Sequence, residues 1–225
     1  MADSSSRCGV LAVCATAWFC AACMPTMKQR PSDAIELTLQ QDTADPARLR
    51  PASAFTGISD RHARSAAIFV EASRVIRSPR CLNCHLVQRS PTQGDNLRPH
   101  VPFITAGTAN HGSAGLQCNA CHGAANVATL SSPIQTIPGD PHWRLAPLSM
   151  AWQGKTLSKI CAQLKGSALN GGRTLEQLHE YMAGDHLVGW GWRPGEGRAP
   201  APGTQKDFGG LIRAWIDTGA ACPDS

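Results

Sequence analysis

Two five-residue stretches carry the most distinctive chemistry of the chain: Cys81-Leu82-Asn83-Cys84-His85 and, 37 positions later, Cys118-Asn119-Ala120-Cys121-His122. Two thiols three positions apart on a short turn can add to the two vinyl groups of one haem. The histidine that follows is then held where its imidazole can ligate the iron. The spacing is a tether plus a ligand. With 10 Cys and 8 His in 225 residues, about 0.02 such matches arise by chance. Two of them predict two covalently bound haems of the c type, tethered by Cys81, Cys84, Cys118 and Cys121, with His85 and His122 as iron ligands.

Two rival readings of the same cysteines are weaker. A four-thiolate zinc site also uses paired C-x2-C motifs, but 33 residues separate the pairs here and zinc gives no reason for a histidine after each. Disulfides closed across two intervening residues would be strained and more at home as redox dithiols.

Each iron needs a sixth ligand or an open face. Met150 lies in the proline-broken segment PHWRLAPLSMAW, where a methionine has little core to fill, and is the expected sixth ligand of one haem. His111 and His100 lie between the two motifs, and His111 is the preferred ligand of the other haem, ahead of His100. Met182 falls on a helical apolar stripe and reads as core. His62, His142, His179 and His186 read as structural or solvent-facing.

The elements that must position these groups are short helices. From Ser59 as N-cap, Ala63, Ala67 and Val70 recur at helical spacing with Ile68, Ala72, Val75 and Ile76, until Pro79 stops the run just before Cys81. Leu157, Ile160, Cys161 and Leu164 form a second stripe, ended by Gly171-Gly172. Thr174 and Gln177 make a capping box for a third helix bearing Leu175, Leu178 and Met182. Phe208, Leu211, Ile212, Trp215 and Ile216 make the last, with Gly219 beyond its end. No segment alternates as a strand should. Residues 86–147 have little periodicity, and 21 Gly with 16 Pro fit long irregular connections. The expected fold is mainly α: a cytochrome c-like dihaem domain of short helices and long loops packed around two haems, whose apolar discs replace missing side-chain core.

The chain is mildly basic, with 21 Lys+Arg against 16 Asp+Glu, and lacks the basic runs and interleaved aromatics of a nucleic-acid surface. Arg7 precedes an apolar run, Val10 to Cys23, that is too short to span a bilayer and ends in small residues, so residues 1–22 read as an export signal. Cys23 also permits lipid attachment, the only membrane contact expected. Residues 23–57 read as a polar linker or surface arm, and 58–225 as the dihaem domain. Export to the periplasm exposes Cys161 and Cys222, the two cysteines outside the leader and the motifs, to oxidation as a disulfide.

Beyond the two motifs, the blocks PHWRLAPLSMAWQGK (141–155), ICAQLK (160–165), NGGRTLEQLHEYM (170–182), LVGWGWRPGEGRAPAPGT (187–204) and WIDTGAACP (215–223) resemble small exported proteobacterial proteins labelled isoquinoline 1-oxidoreductase subunit. These are dihaem c-type cytochromes by motif. The resemblance implies an electron-transfer subunit that takes electrons from a molybdenum hydroxylase and passes them towards a respiratory chain. The chain has no C-x4-C-x2-C ferredoxin pattern and no room for a pterin domain, so hydroxylation would belong to the partner. A dihaem peroxidase or a haem-based sensor is the alternative, requiring an open or exchangeable iron face.

Overall fold

The computed structural model describes residue 45 and residues 47–130 and 135–224. The expected leader, Cys23 and most of the expected linker lie outside the described residues. Helices account for about 39% of the structure. Six helices of α type are described: α1 (Arg61–Ile76), α2 (Pro79–Leu82), α3 (Leu157–Lys165), α4 (Leu175–Gly184), α5 (His186–Gly189) and α6 (Gln205–Asp217).

Each long helix starts where its sequence supplies an acceptor for otherwise unpaired N–H groups. Asp60, not the expected Ser59, caps α1 by accepting from Ala63 N at 2.7 Å. Thr174 and Gln177 form the capping box of α4, and Thr204 with Asp207 forms that of α6. α1 ends at Ile76 with Arg77 as its C-cap, and Pro79 opens α2 as its first residue, where a missing N–H costs nothing. That junction delivers Cys81 directly from the core helix.

The core lies where α1, α4 and α6 meet. Phe69 and Trp215 pack with ring centroids 5.1 Å apart, both fully buried with Ile76, Leu164 and Ile212. Ser65 Oγ donates to Trp215 O and accepts from Ala221 N, so a buried hydroxyl ties α1 to the end of α6. α4 approaches α6 closely at Gly209, where an added Cβ would sit 2.6 Å from Ala183 Cβ. Cys161 in α3 and Cys222 beyond α6 are placed at bonding distance, Cα to Cα 5.6 Å.

Residues 47–57, expected within the linker, pack on this core. Phe55 is 2% exposed, and buried Glu71 of α1 accepts from Arg50 N at 3.1 Å and Arg50 Nε at 3.0 Å. The folded unit therefore begins ahead of residue 58. The polar and proline content of the segment concealed an aromatic anchor and an ion pair.

The irregular region does contain strands, contrary to expectation. Three antiparallel pairs of two residues each occur: β1 (Thr92–Gln93) with β2 (Arg98–Pro99), β3 (Gly112–Ser113) with β4 (Leu116–Gln117), and β5 (Val127–Ala128) with β6 (Thr136–Ile137). Two residues are too few to show alternation in a sequence. β2 runs into His100, β4 into Cys118, and β6 into Pro138, so each pair aims one group at the same place.

Candidate functional site

The two CxxCH motifs fold alike. In the first, Cys84 N and His85 N both donate to Cys81 O at 3.1 Å; in the second, Cys121 N and His122 N donate to Cys118 O at 3.2 and 2.9 Å. One tight turn thus presents both thiols and the imidazole of each motif. The histidines are also held alike. His85 Nδ1 lies 2.6 Å from Met150 O, and His122 Nδ1 lies 2.8 Å from Pro138 O. A carbonyl accepts only, so each ring donates from Nδ1 and keeps its Nε2 as an unprotonated, metal-binding nitrogen. Each ring further stacks on an indole: His85 on Trp152 at 3.5 Å and 7° between planes, His122 on Trp143 at 4.7 Å and 13°.

One segment, residues 138–153, supplies all four backing groups. It is fixed at both ends and between. Gly139 N donates to Asn126 Oδ1, Ala146 N to Cys84 O, and Trp152 N and Gln153 N to His85 O. Fully buried Asp140 bonds His186 of α5 and accepts from His142 N. Gly139 tolerates no side chain, because a Cβ there would lie 2.0 Å from Ala125 O.

Each motif opens onto its own cavity. Cys81, Cys84 and His85 line one of roughly 320 Å³, walled by α1 and α4 through Val75, Leu178 and Tyr181. Cys118, Cys121 and His122 line another of roughly 390 Å³, bounded by Ile104, Leu116 and Leu145. These volumes fall in the range of cofactor sites. Arg80, Cys84, Trp143, Arg144, Leu145 and Trp190 line both, so the cavities adjoin across a thin wall.

Burial sets the titration of both motifs' groups. Burial pushes Cys81 up to about 11 and Cys84 up to about 12, with the neighbouring Cys81 and Cys118 thiols adding to the rise at Cys84. Among the described residues, no three His, Cys, Asp or Glu side chains are grouped to hold a metal ion. Burial likewise lowers His85 to about 4 despite its carbonyl partner, and lowers His122, with His100 and Arg198 contributing. Neutral imidazoles are what a metal requires.

The expected sixth ligands are placed unevenly. His100 faces His122 across the larger cavity, ring centroids 6.0 Å apart. Its Nδ1 lies 2.8 Å from Pro102 O, so its Nε2 is free as well. Of the expected sixth ligands, His100 is the one whose ring the structure brings beside His122. His111, preferred from sequence, is exposed and lines neither cavity; only its main chain takes part, accepting from Cys118 N at 2.7 Å. Met150 and Met182 both line the smaller cavity. The Met150 carbonyl is bonded to His85 on the edge of the imidazole away from Nε2. From that anchor its thioether would be too short to reach the far side of a metal held on His85 Nε2. Met182 is buried in the helical core as expected, 4% exposed on α4, and it also lines this cavity without such a restraint.

Sequence reasoning also missed Trp143, Trp152 and Pro138. The two indoles sit nine residues apart in PHWRLAPLSMAW, a signal visible only once that segment is known to back both histidines. Among the described residues, no helix is long and apolar enough to cross a membrane. The chain matches no protein-family model, no curated protein and no solved structure.

Proposed function

We propose that the chain is an exported dihaem c-type cytochrome that carries electrons, with Cys81, Cys84 and His85 holding one haem and Cys118, Cys121 and His122 the other. One observation carries this reading. Both motifs present the same constellation of a turn-held thiol pair, an imidazole fixed through Nδ1 to a main-chain carbonyl, a stacked indole, and an adjoining cavity. A coincidence of spacing would not repeat the supporting groups.

Bound haem supplies one-electron exchange at iron, tuned by its axial ligands and by surrounding dipoles and burial. The chain does the rest. Met150 O and Pro138 O orient the two imidazoles, and Trp152 and Trp143 restrain their rotation. His100 completes the second site and Met182 the first. A His/Met pair would favour reduced iron more than a two-histidine pair, so a haem held at the first site would have the higher potential and would accept electrons from the second. Cys84, Trp143, Leu145 and Trp190 line both cavities, so haems held in them would lie beside each other.

The donor we assign is a redox partner of the molybdenum hydroxylase class, on the strength of the sequence blocks that resemble isoquinoline 1-oxidoreductase subunits. The acceptor is a respiratory carrier in the periplasm. The reduced visible spectrum with and without carbon monoxide tests the carrier role. Two low-spin haems that ignore carbon monoxide are expected. A high-spin haem that binds it would replace the carrier reading with the peroxidase or sensor reading.

A further inference from the structure

Arg80 is an unusual residue to bury. Its side chain is 1% exposed, it stands beside Cys81, and it lines both cavities. One of its nitrogens, Nη2, bonds Asp95 Oδ1 at 2.5 Å. The other two, Nε and Nη1, are buried with no hydrogen-bond partner. Trp190 offers its ring at 6.0 Å, the outer limit of cation–π reach, and satisfies neither nitrogen. A buried unpaired N–H costs about 1–3 kcal/mol, more on a charged group. Two such nitrogens on one guanidinium, with three N–H groups between them, point to an acceptor that belongs to the loaded protein.

The surroundings state the charge of that acceptor. The larger cavity is lined by Arg80, Arg98, Arg144 and Arg198, against Glu196 in its lining and Asp95 on Arg80. Four guanidiniums face two carboxylates, an excess of two positive charges. Burial holds Arg198 below its usual value, and Arg80 and Arg98 nearby depress it further. One haem carries two propionate carboxylates. Planar guanidinium forks are the side chains best matched to carboxylates. Arg80 sits at the thiol end of the first cavity, where the vinyl-derived edge of that haem would lie, so its free donors suit the haem of the other motif.

Resting on the dihaem reading above, we propose that Arg80 is a positioning residue for the second haem: its Nε and Nη1 donate to a propionate of the haem held by Cys118, Cys121 and His122, and Arg198 takes part in the same anion site. Arg80 precedes the tether of one haem and grips the carboxylate of the other, so it couples the two sites mechanically and electrostatically.

The test compares Arg80→Gln, Arg80→Lys and Asp95→Asn with the wild type, all matured with haem, by intact mass and potentiometric titration. In Arg80→Gln a propionate charge is left uncompensated. The reduction constant of the second haem should then fall about tenfold, which for a one-electron couple is about 59 mV, and that of the first haem should fall less. Arg80→Lys should fall less, keeping charge without the fork. Asp95→Asn should raise the same potential, a change of sign that a merely structural role would not produce. Wild-type protein with two haems and an Arg80→Gln variant with unchanged potentials, or with both potentials lowered equally, overturns the proposal and leaves the dihaem reading intact. So does a wild-type potential that shifts with added phosphate when that of Arg80→Gln does not, since the arginine would then hold a free anion. Failure of both Arg80 variants to mature, with Asp95→Asn unshifted, assigns Arg80 to folding and overturns the proposal too. Wild-type protein without haem overturns both readings together.

Discussion

At the scale of single residues, the two methionines of the first cavity differ by where their backbones stand. Met150 spends its carbonyl on His85 Nδ1, and Met182 projects from α4. Met182→Ala is therefore expected to abolish the weak near-infrared sulfur-to-iron band of the oxidised protein and to lower the higher potential alone. Met150→Ala should keep the band. Loss of the band in the Met150 variant and its survival in the Met182 variant would reverse the assignment. The histidines divide similarly: His100→Ala should turn the second haem high-spin, and His111→Ala should leave the spectrum as it is. A high-spin signal from the His111 variant and none from the His100 variant would sink this choice. Neither distinction is legible in the sequence. Lining a cavity and filling a core ask the same apolar character of a methionine, and both Met150 and Met182 do both. The carbonyls of Met150 and Pro138 belong to main chain, which every residue type carries.

At the scale of elements, the helices were readable because burial on one face imposes a 3.6-residue period, as in Phe208, Leu211, Ile212 and Trp215. The segment ahead of α1 was not, because its attachment rests on scattered contacts, among them Phe55, the Arg50–Glu71 pair and main-chain bonds at Ala47 and Arg48, rather than on a repeat. Burial tends to raise Glu71, and the N–H of Arg50 and the side chains of Arg74 and Arg50 outweigh it, so the carboxyl sits below its usual 4.5. Its contribution is thus fully present above pH 4.5 and is lost as pH falls through its own lower value. Glu71→Ala should cost about 3 kcal/mol at neutral pH by leaving buried positive charge. Denaturant unfolding at pH 7 and at acid pH checks this, and an undiminished difference in strong acid would contradict it. The α3–α6 link gives a second expectation. Cys161 and Cys222 close a separation of 61 residues, worth about 4 kcal/mol in the chain-entropy model. Cys161→Ser should lower the melting temperature and keep both haems. Haem loss in that variant would show that the helical core and the cavities are not independent.

At the scale of the molecule, a helical half supplies stability and a loop-built half supplies the second cavity, with the 138–153 segment joining them. That segment holds both histidines from behind. Gly139→Ala should disturb it at the point where a Cβ meets Ala125 O, and the expected loss is confined to the second haem because Pro138 is the adjacent residue. Equal loss of both haems would mean that the segment moves as one rigid piece.

The central claim, two haems on two thioether tethers, is tested most directly by intact mass of the protein matured in a c-type system, beside the paired variants Cys81→Ser/Cys84→Ser and Cys118→Ser/Cys121→Ser. The wild type should carry two haem masses that survive denaturation, and each variant should carry one. A wild-type chain of unmodified mass, or variants that retain both haems, would contradict the account.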